Sequence, residues 1–479
     1  MNKIHKEIIA VMTMLFCANC SSEDSPSKPP DKPQGSDVSI LMTLSNQTIL
    51  GQQMPSIDFD EYMAIGNKNV IHLDLATEYQ EVDGFGAALT GSSSYLLKAM
   101  SPEKRAKVLK ELFDPEEGLG ISVLRLAIGA CDYSLGFYTY CDVPGIENFA
   151  IYNTDKTDLL PVLKEILAIN PNIKIFATTW SAPKWMRTAD QWTGNNGASG
   201  IKDEYLNDFA TYYLKYVQAM AAEGIKIYAI TPQNEPLSNG NAMSMMMTAT
   251  QQIAFIKSLG AKFSANGITT KIICFDHNWN LNQFVKDVYS DPQAFAIADG
   301  AAFHAYGGSL QGQIEIKNQY PTKNIYFTEQ SGGGWAPDFQ NNFKWWMNNI
   351  FIGGMNNWSK CVILWNLILD DKHGPFLTPG AATNCYGLLE TGSNDTYKRY
   401  SEYYVMKQMR GIRTGAIVVK TYGYSPSGLS RFAVKNTDGS KILVVFNETG
   451  ADQTLTISDG IHCFTYMVKN EALISFKWK

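Results

Sequence analysis

The sequence predicts an α/β protein: a (β/α)8 TIM barrel with a side β-sandwich domain built from both chain ends. Three observations predict it. Strand-like and helix-like stretches alternate through the middle of the chain, in eight βα-type units over about 320 residues, a length that suits such a barrel with insertions. Both flanks of that region read as strands alone. Two of the eight strands end in a glutamate, and the C-terminal ends of barrel strands are where such folds carry chemistry. Periodicity alone leaves a doubly wound open sheet as the alternative.

The N-terminus reads as an address. Lys3, His5 and Lys6 precede a short apolar run from Ile8 to Cys17, too short to span a bilayer. It ends in Cys17-Ala18-Asn19-Cys20-Ser21-Ser22. This resembles a bacterial lipoprotein signal over residues 1–20, with Cys20 the acylated residue. Residues 21–37 hold Pro26, Pro29, Pro30 and Pro33 among polar neighbours and read as a solvated tether. The expected location is outside the cytoplasm, lipid-anchored to a bacterial outer membrane or cell surface.

The body follows in order. Residues 38–80 carry strand patterns at Val38–Leu44, Phe59–Ile65 and Val70–Tyr79. The barrel is assigned to 81–412. Its strands are Gly84–Ala88, Ser122–Ile128, Ile173–Thr178, Tyr228–Pro232, Lys271–Phe275, Gly300–His304, Asn324–Thr328 and Lys360–Leu364. Helical stretches between them include Pro102–Phe113, opened by Ser101 as N-cap, Asp158–Ile169, Tyr205–Ala222, Thr248–Ala265, Asn282–Tyr289 and Phe339–Phe351. Residues 413–479 return to short strands, with Asp438-Gly439 as a hairpin turn.

Composition excludes several classes. Lys+Arg 40 against Asp+Glu 46 gives a charge of −6 with no basic stripe, so no nucleic-acid partner is expected. No apolar run reaches the length of a membrane span, so membrane contact is expected only through the Cys20 anchor. The 10 Trp, 24 Tyr and 23 Phe are read from composition as a large core, with stacking platforms for sugar rings as the sharper alternative. Six cysteines follow the leader without zinc spacing. Cys131 and Cys141 are the closest pair in sequence, and buried thiols are the simpler reading.

The two strand-end glutamates are Glu235, in Ile230-Thr231-Pro232-Gln233-Asn234-Glu235-Pro236, and Glu329, in Tyr326-Phe327-Thr328-Glu329-Gln330-Ser331. They close the fourth and seventh strands and so face each other across a barrel mouth. Two opposed carboxylates are the minimal equipment for breaking a glycosidic bond: one attacks the anomeric carbon and the other protonates the leaving oxygen.

The ordered motifs resemble glycoside hydrolase family 30, the glucosylceramidase-like retaining enzymes. They are Asp83-Gly84-Phe85-Gly86-Ala87-Ala88, Leu124-Arg125-Leu126 with Cys131-Asp132-Tyr133-Ser134, Thr179-Trp180-Ser181-Ala182-Pro183-Lys184-Trp185-Met186, Gln233-Asn234-Glu235-Pro236, Phe275-Asp276-His277-Asn278-Trp279, His304-Ala305-Tyr306, Thr328-Glu329 and Trp365-Asn366-Leu367. Gly91 after Thr90 departs from the pattern, where relatives often have Asp.

The resemblance implies Glu329 as nucleophile and Glu235 as general acid/base. Arg125 and Tyr306 are candidates to keep Glu329 ionised, while the charge of Glu329 is expected to raise the pKa of Glu235. Asn234 is implied at the sugar 2-hydroxyl, Asp132 at another hydroxyl, and Trp180 and Trp365 at the glycone faces. Trp192 and Trp335 are assigned to the aglycone side. His277 and His304 are read as hydrogen-bond partners behind the carboxylates rather than metal ligands, because no carboxylate stands at ligand spacing in the sequence. No cofactor and no metal are expected.

The family includes enzymes on β-1,6-glucan, glucosylceramide and other β-glycosides. A tethered extracellular protein suits polysaccharide foraging, which puts endo-β-1,6-glucanase first and glucosylceramidase second. A third class, a catalytically inactive surface glycan-binding protein, predicts the loss of one of the two glutamates.

Overall fold

A computed structural model describes residues 36–61, 68–238, 240, 242–378, 383–392 and 396–479. The leader and the tether as far as residue 35 lie outside the described residues.

Eight parallel strands close a barrel. In chain order they are β4 (Gly84–Ala88), β5 (Val123–Ala127), β6 (Lys174–Thr178), β7 (Ile227–Thr231), β8 (Lys271–Asn278), β9 (Gly300–His304), β10 (Asn324–Glu329) and β11 (Ser359–Leu364). Closure comes from β11 pairing with β4. The β4–β5 seam is tight. A Cβ on Gly86 would lie 1.8 Å from the Val123 carbonyl oxygen, so only glycine fits there.

Side-chain alternation sorts each strand into two faces. Val123, Phe176, Ala229, Ile273, Ala302, Tyr326 and Ile363 fill the barrel interior as one cluster. Leu124, Leu126, Ile230 and Phe327 point the other way, into the main core under the outer helices.

Those helices match the sequence pattern with two local differences. Pro102–Phe113 is capped by Ser101, and Ala249–Ala265 opens with a Thr248/Gln251 capping box. The helix expected at Asp158–Ile169 begins as a π-turn over Asp155–Leu159. The one expected at Phe339–Phe351 turns π-helical at Trp346–Phe351 before ending at Asn356.

The side domain joins both chain ends. Its strands are β1 (Val38–Leu44), β2 (Gln52–Ile57) and β3 (Val70–Glu81) from the N-terminus. From the C-terminus come β15 (Ile417–Gly423), β16 (Leu429–Lys435), β17 (Lys441–Asn447), β18 (Gln453–Ser458), β19 (Cys463–Val468) and β20 (Ala472–Trp478). Hydrogen bonds run continuously in the order β19-β18-β3-β15-β16-β17-β20-β1-β2. The sheet folds over on itself to make the sandwich. Phe464 of β19 and Trp478 of β20 are far apart in that order, yet their rings meet at 5.3 Å. The domain docks on the barrel's flank: Asn356 Nδ2 donates to the Arg431 carbonyl (2.9 Å) and Lys344 pairs with Glu471 (2.9 Å).

One expected strand changes, one small sheet is added, and the reading of the cysteines as buried thiols holds. The strand expected at Phe59–Ile65 is not one over its described residues 59–61, and 62–65 lie outside the described residues. The second N-terminal strand is instead β2, whose mixed exposure hides any alternation. A small sheet of β12 (Ile368–Asp370), β13 (Leu389–Thr391) and β14 (Tyr397–Arg399) follows the barrel, each too short to show a period. Cys131 and Cys141 are not bridged: they are buried free thiols, like Cys274, Cys361, Cys385 and Cys463.

Candidate active site

The top interior layer of the barrel is polar. Arg125, Thr231 and Thr328 sit two residues beyond the interior positions Val123, Ala229 and Tyr326 on their strands. His304 stands two beyond Ala302. By the same alternation Phe275 should follow Ile273 inward. It does not. Phe275 and Asp276 take positive φ, +75° and +77°, and the β8–β9 register shifts between Phe275 and His277. The bulge sends Phe275 to the outer core and turns Asp276 into the barrel.

Asp276 is fully buried and is the hub of this layer. Its Oδ2 accepts from Arg125 Nη2 (2.9 Å) and Thr231 Oγ1 (2.6 Å), and its Oδ1 from Thr328 Oγ1 (2.6 Å). His304 Nε2 lies 3.0 Å from Oδ1. Burial opposes its charge, but Arg125, His304 and Thr231 hold the carboxyl far below the usual carboxylate range.

Glu329 is brought round by a second irregularity, a register shift between Phe327 and Glu329. Arg125 Nη1 donates to its Oε2 and Tyr306 Oη to its Oε1 (3.0 Å). The other nitrogen of the Arg125 fork donates to Asn234 Oδ1 (2.7 Å). With its oxygen so occupied, the Asn234 amide is left with donors to offer a ligand. The guanidinium lies 5.0 Å from the Trp180 ring, which itself stacks on Trp365 at 5.2 Å.

Glu235 follows β7 in a turn with φ +47°. Two backbone bonds pin that turn: Asn234 N to Thr179 O (2.8 Å) and Glu235 N to Asp276 O (2.9 Å). The Glu235 Oε1 is 3.1 Å from His304 Nδ1 and 3.5 Å from His277 Nδ1. Burial pushes this carboxyl up, but the two imidazoles outweigh burial and hold it below its ordinary value. The expected elevation by Glu329 is therefore absent, because the hydrogen bonds and charges of the two histidines outweigh what raises this carboxyl. His304 itself is raised to about 9: burial works against it, and Glu329, Asp276 and Glu235 overcome burial.

His304 Nδ1 is also 4.0 Å from Glu329 Oε1. The two Oε1 atoms therefore cannot be farther apart than the sum of the distances to that nitrogen, about 7 Å. A pocket of about 370 Å³ opens above them, lined by Asp132, Trp180, Asn234, Glu235, Tyr306, Glu329 and Trp365. Arg125 and His304 lie beneath that lining, so the two catalytic candidates and the seven residues expected around the glycone converge on one place. Asp132 brings a buried Oδ1 with no hydrogen-bond partner. Burial, then the charge of Glu329, raises its carboxyl well above the usual range.

Three lining residues lacked a role in the sequence reading or had only a general one. Trp335, half exposed, overhangs the pocket edge, while Asn278 and Cys385 complete its wall. Trp192 is stacked on Phe137 at 6.2 Å and is not part of the lining. Trp185 is held by a bond from Nε1 to the Cys141 carbonyl (2.8 Å), a packing role. Thr90, before the divergent Gly91, caps the next helix and donates to Asn366 Oδ1 (3.0 Å).

Comparisons with known proteins agree with this architecture. An endo-1,6-β-D-glucanase of Trichoderma harzianum is 32% identical over 407 residues, covering 79% of this chain and 80% of that protein. The lysosomal acid glucosylceramidase of Mus musculus is 25% identical over 423 residues, covering 82% and 80%. A solved endo-β1,6-glucanase structure superposes with a TM-score of 0.89 at 39% identity, over 92% of this chain and 99% of that one. The family 30 glycosyl hydrolase TIM-barrel domain matches residues 82–407 and the family 30 β-sandwich domain residues 415–476. The chain belongs to glycosyl hydrolase family 30 and is a glycoside hydrolase.

Proposed function

We propose that the protein is a retaining endo-β-1,6-glucanase working by double displacement, with Glu329 as nucleophile and Glu235 as acid/base. The observation that carries the reading is the pair of carboxylates within about 7 Å of each other at the floor of an aromatic-walled pocket. Retaining enzymes hold their two carboxyl groups about 5–5.5 Å apart, and inverting ones about 6.5–9.5 Å, so an Oε1 pair within about 7 Å suits retention and disfavours the wide end of the inverting range.

Arg125 and Tyr306 hold and aim the Glu329 carboxylate through hydrogen bonds to its two oxygens. It attacks the anomeric carbon as the proton that His304 holds at Nδ1, 3.1 Å from Glu235 Oε1, passes through Glu235 to the departing oxygen, leaving a glycosyl ester on Glu329. Glu235 then takes a proton from water, and that water releases the sugar. Asn234 donates to the 2-hydroxyl, Asp132 accepts from another, and Trp180 and Trp365 cover apolar sugar faces.

The β-1,6-glucan assignment is supported by the relatives with that activity in their names, at 39% and 32% identity. A half-exposed Trp335 and a part-exposed Tyr306 at the rim suit a polymer that passes through. The leader supports an extracytoplasmic place, anchored through acylated Cys20.

The test is a product assay on the protein from Val38 onward. β-1,6-Glucan and a short-chain glucosylceramide are offered side by side, with Glu329→Gln as control. Gluco-oligosaccharides from the glucan are expected. Glucose and ceramide from the lipid alone would overturn the substrate. No cleavage of either above the Glu329→Gln background would overturn the glucosyl assignment.

A further inference from the structure

We propose that Glu235, His277 and His304 form a site for a borderline divalent cation of the zinc class, and that the bound ion switches hydrolysis off. These residues come from the ends of β7, β8 and β9, three adjacent barrel strands, so their sequence spacing carries no ligand signature. Among the described residues this is the group whose donor atoms converge: one oxygen and two ring nitrogens, all within 4.8 Å of one another.

The spacing fits a tetrahedral ion. Zn–N and Zn–O bonds of about 2.0–2.2 Å put neighbouring ligand atoms about 3.3–3.6 Å apart. Glu235 Oε1 is 3.1 Å from His304 Nδ1 and 3.5 Å from His277 Nδ1. These two edges therefore need shifts of a few tenths of an ångström, and the third, between the two ring nitrogens, lies within 4.8 Å and closes by at most about 1.5 Å.

Two further features point to a ligand. The His277 side chain is more than nine-tenths buried, and its Nδ1 has no hydrogen-bond partner although it faces Glu235. His304 presents Nδ1 to the cluster while its Nε2 is bound to the Asp276 carboxylate at 3.0 Å. A histidine steadied through its far nitrogen by a carboxylate is the usual support of a zinc ligand. The fourth position faces the pocket, which Glu235 lines. Glu329, 4.0 Å from His304 Nδ1, adds negative charge beside the site.

The ion would replace the proton at His304 Nδ1 and release it to solvent. A carboxylate bound to the ion can neither protonate a leaving group nor accept a proton from water. Binding stands on the geometry alone, whereas inhibition rests on the acid/base assignment of Glu235.

The test uses the whole chain and Zn²⁺ alone. Calorimetry should find one ion bound, with hydrolysis lost on binding and restored by a chelator. Co²⁺ should give the visible absorption of a four-coordinate site. Glu235→Gln and His277→Gln, each checked for an unchanged melting transition, should weaken Zn²⁺ binding at least tenfold. His462→Gln, at the His462–Asp459 pair of the side domain, should not. Undiminished binding in both site variants overturns the proposal. A bound ion that leaves hydrolysis intact overturns the inhibition. In that case the activity of Glu235→Gln without metal shows whether the acid/base assignment fails with it.

Discussion

Asp276 Oδ1 and His304 Nε2 lie 3.0 Å apart with both side chains wholly out of solvent. The contact matters because Asp276 also balances Arg125, the residue that aims Glu329. Removing one member of a buried ionic group leaves its partners uncompensated, at a cost of about 3–5 kcal/mol. Asp276→Asn keeps the shape and loses the charge, and is expected to lose stability of that size in urea unfolding at neutral pH. A loss below about 1 kcal/mol would mean that the two threonines, not the charges, hold the hub.

Glu235 and Glu329 should separate kinetically. A general acid contributes about 10²–10⁴-fold when the leaving oxygen needs a proton, and little when it does not. Glu235→Ala should therefore lose that factor on the glucan but retain rapid glycosylation by a dinitrophenyl β-glucoside, seen as a burst of phenol. Glu329→Ala should lose both. Equal losses in Glu235→Ala on the two substrates would remove the acid from its role.

Much of this site was legible in the sequence because two glutamates close barrel strands and the ordered motifs resemble the family's, and strand alternation accounts for where several of those residues point. Arg125, Thr231, His304 and Thr328 follow their interior neighbours by two, and the barrel strands fall within a few residues of the pattern. Asp276 was quoted in a motif but given no role, and the reason is physical. Counting by twos from Ile273 predicts Phe275 inside, and only the positive-φ bulge at Phe275 and Asp276 reverses that. The low pKa of Glu235 was missed for a related reason. It depends on His277 and His304 reaching it from neighbouring strands, 42 and 69 residues along the chain. β2 and the small third sheet were missed because they are short or show no clean period.

Asp155 offers a test of pH and stability away from the pocket. It is buried behind the loop that carries Asp132, accepting from Tyr138 Oη (2.8 Å) and Tyr140 Oη (2.6 Å). Burial raises its pKa from 3.8 to about 6; the tyrosines oppose that and Asp158 adds to it. A folded-state value above the unfolded one stabilises fully below 3.8, and that contribution is lost as pH rises through about 6. The shift corresponds to roughly 3 kcal/mol. Asp155→Asn does not titrate, so relative to the natural chain it should gain about that much between pH 4 and 7.5 in urea midpoints. A constant difference across the range would mean that Asp155 titrates normally.

Asp132 is the sharpest probe of how the sugar is held. Its Oδ1 is buried without a partner on the pocket wall, and an unpaired buried acceptor is costly until a donor arrives. A sugar hydroxyl is such a donor, and with the carboxyl raised toward its neutral form the bond is worth about 0.5–1.5 kcal/mol, or roughly 2- to 13-fold in kcat/KM. Asp132→Ala should lose that factor on a glucosyl substrate. Among monodeoxy glucosides, one should be nearly insensitive to the substitution, because it lacks the hydroxyl that Asp132 binds. That substrate names the contact. If every deoxy substrate instead loses as much as the parent on going to Asp132→Ala, Asp132 acts by shaping the loop after β5, and the direct contact is ruled out.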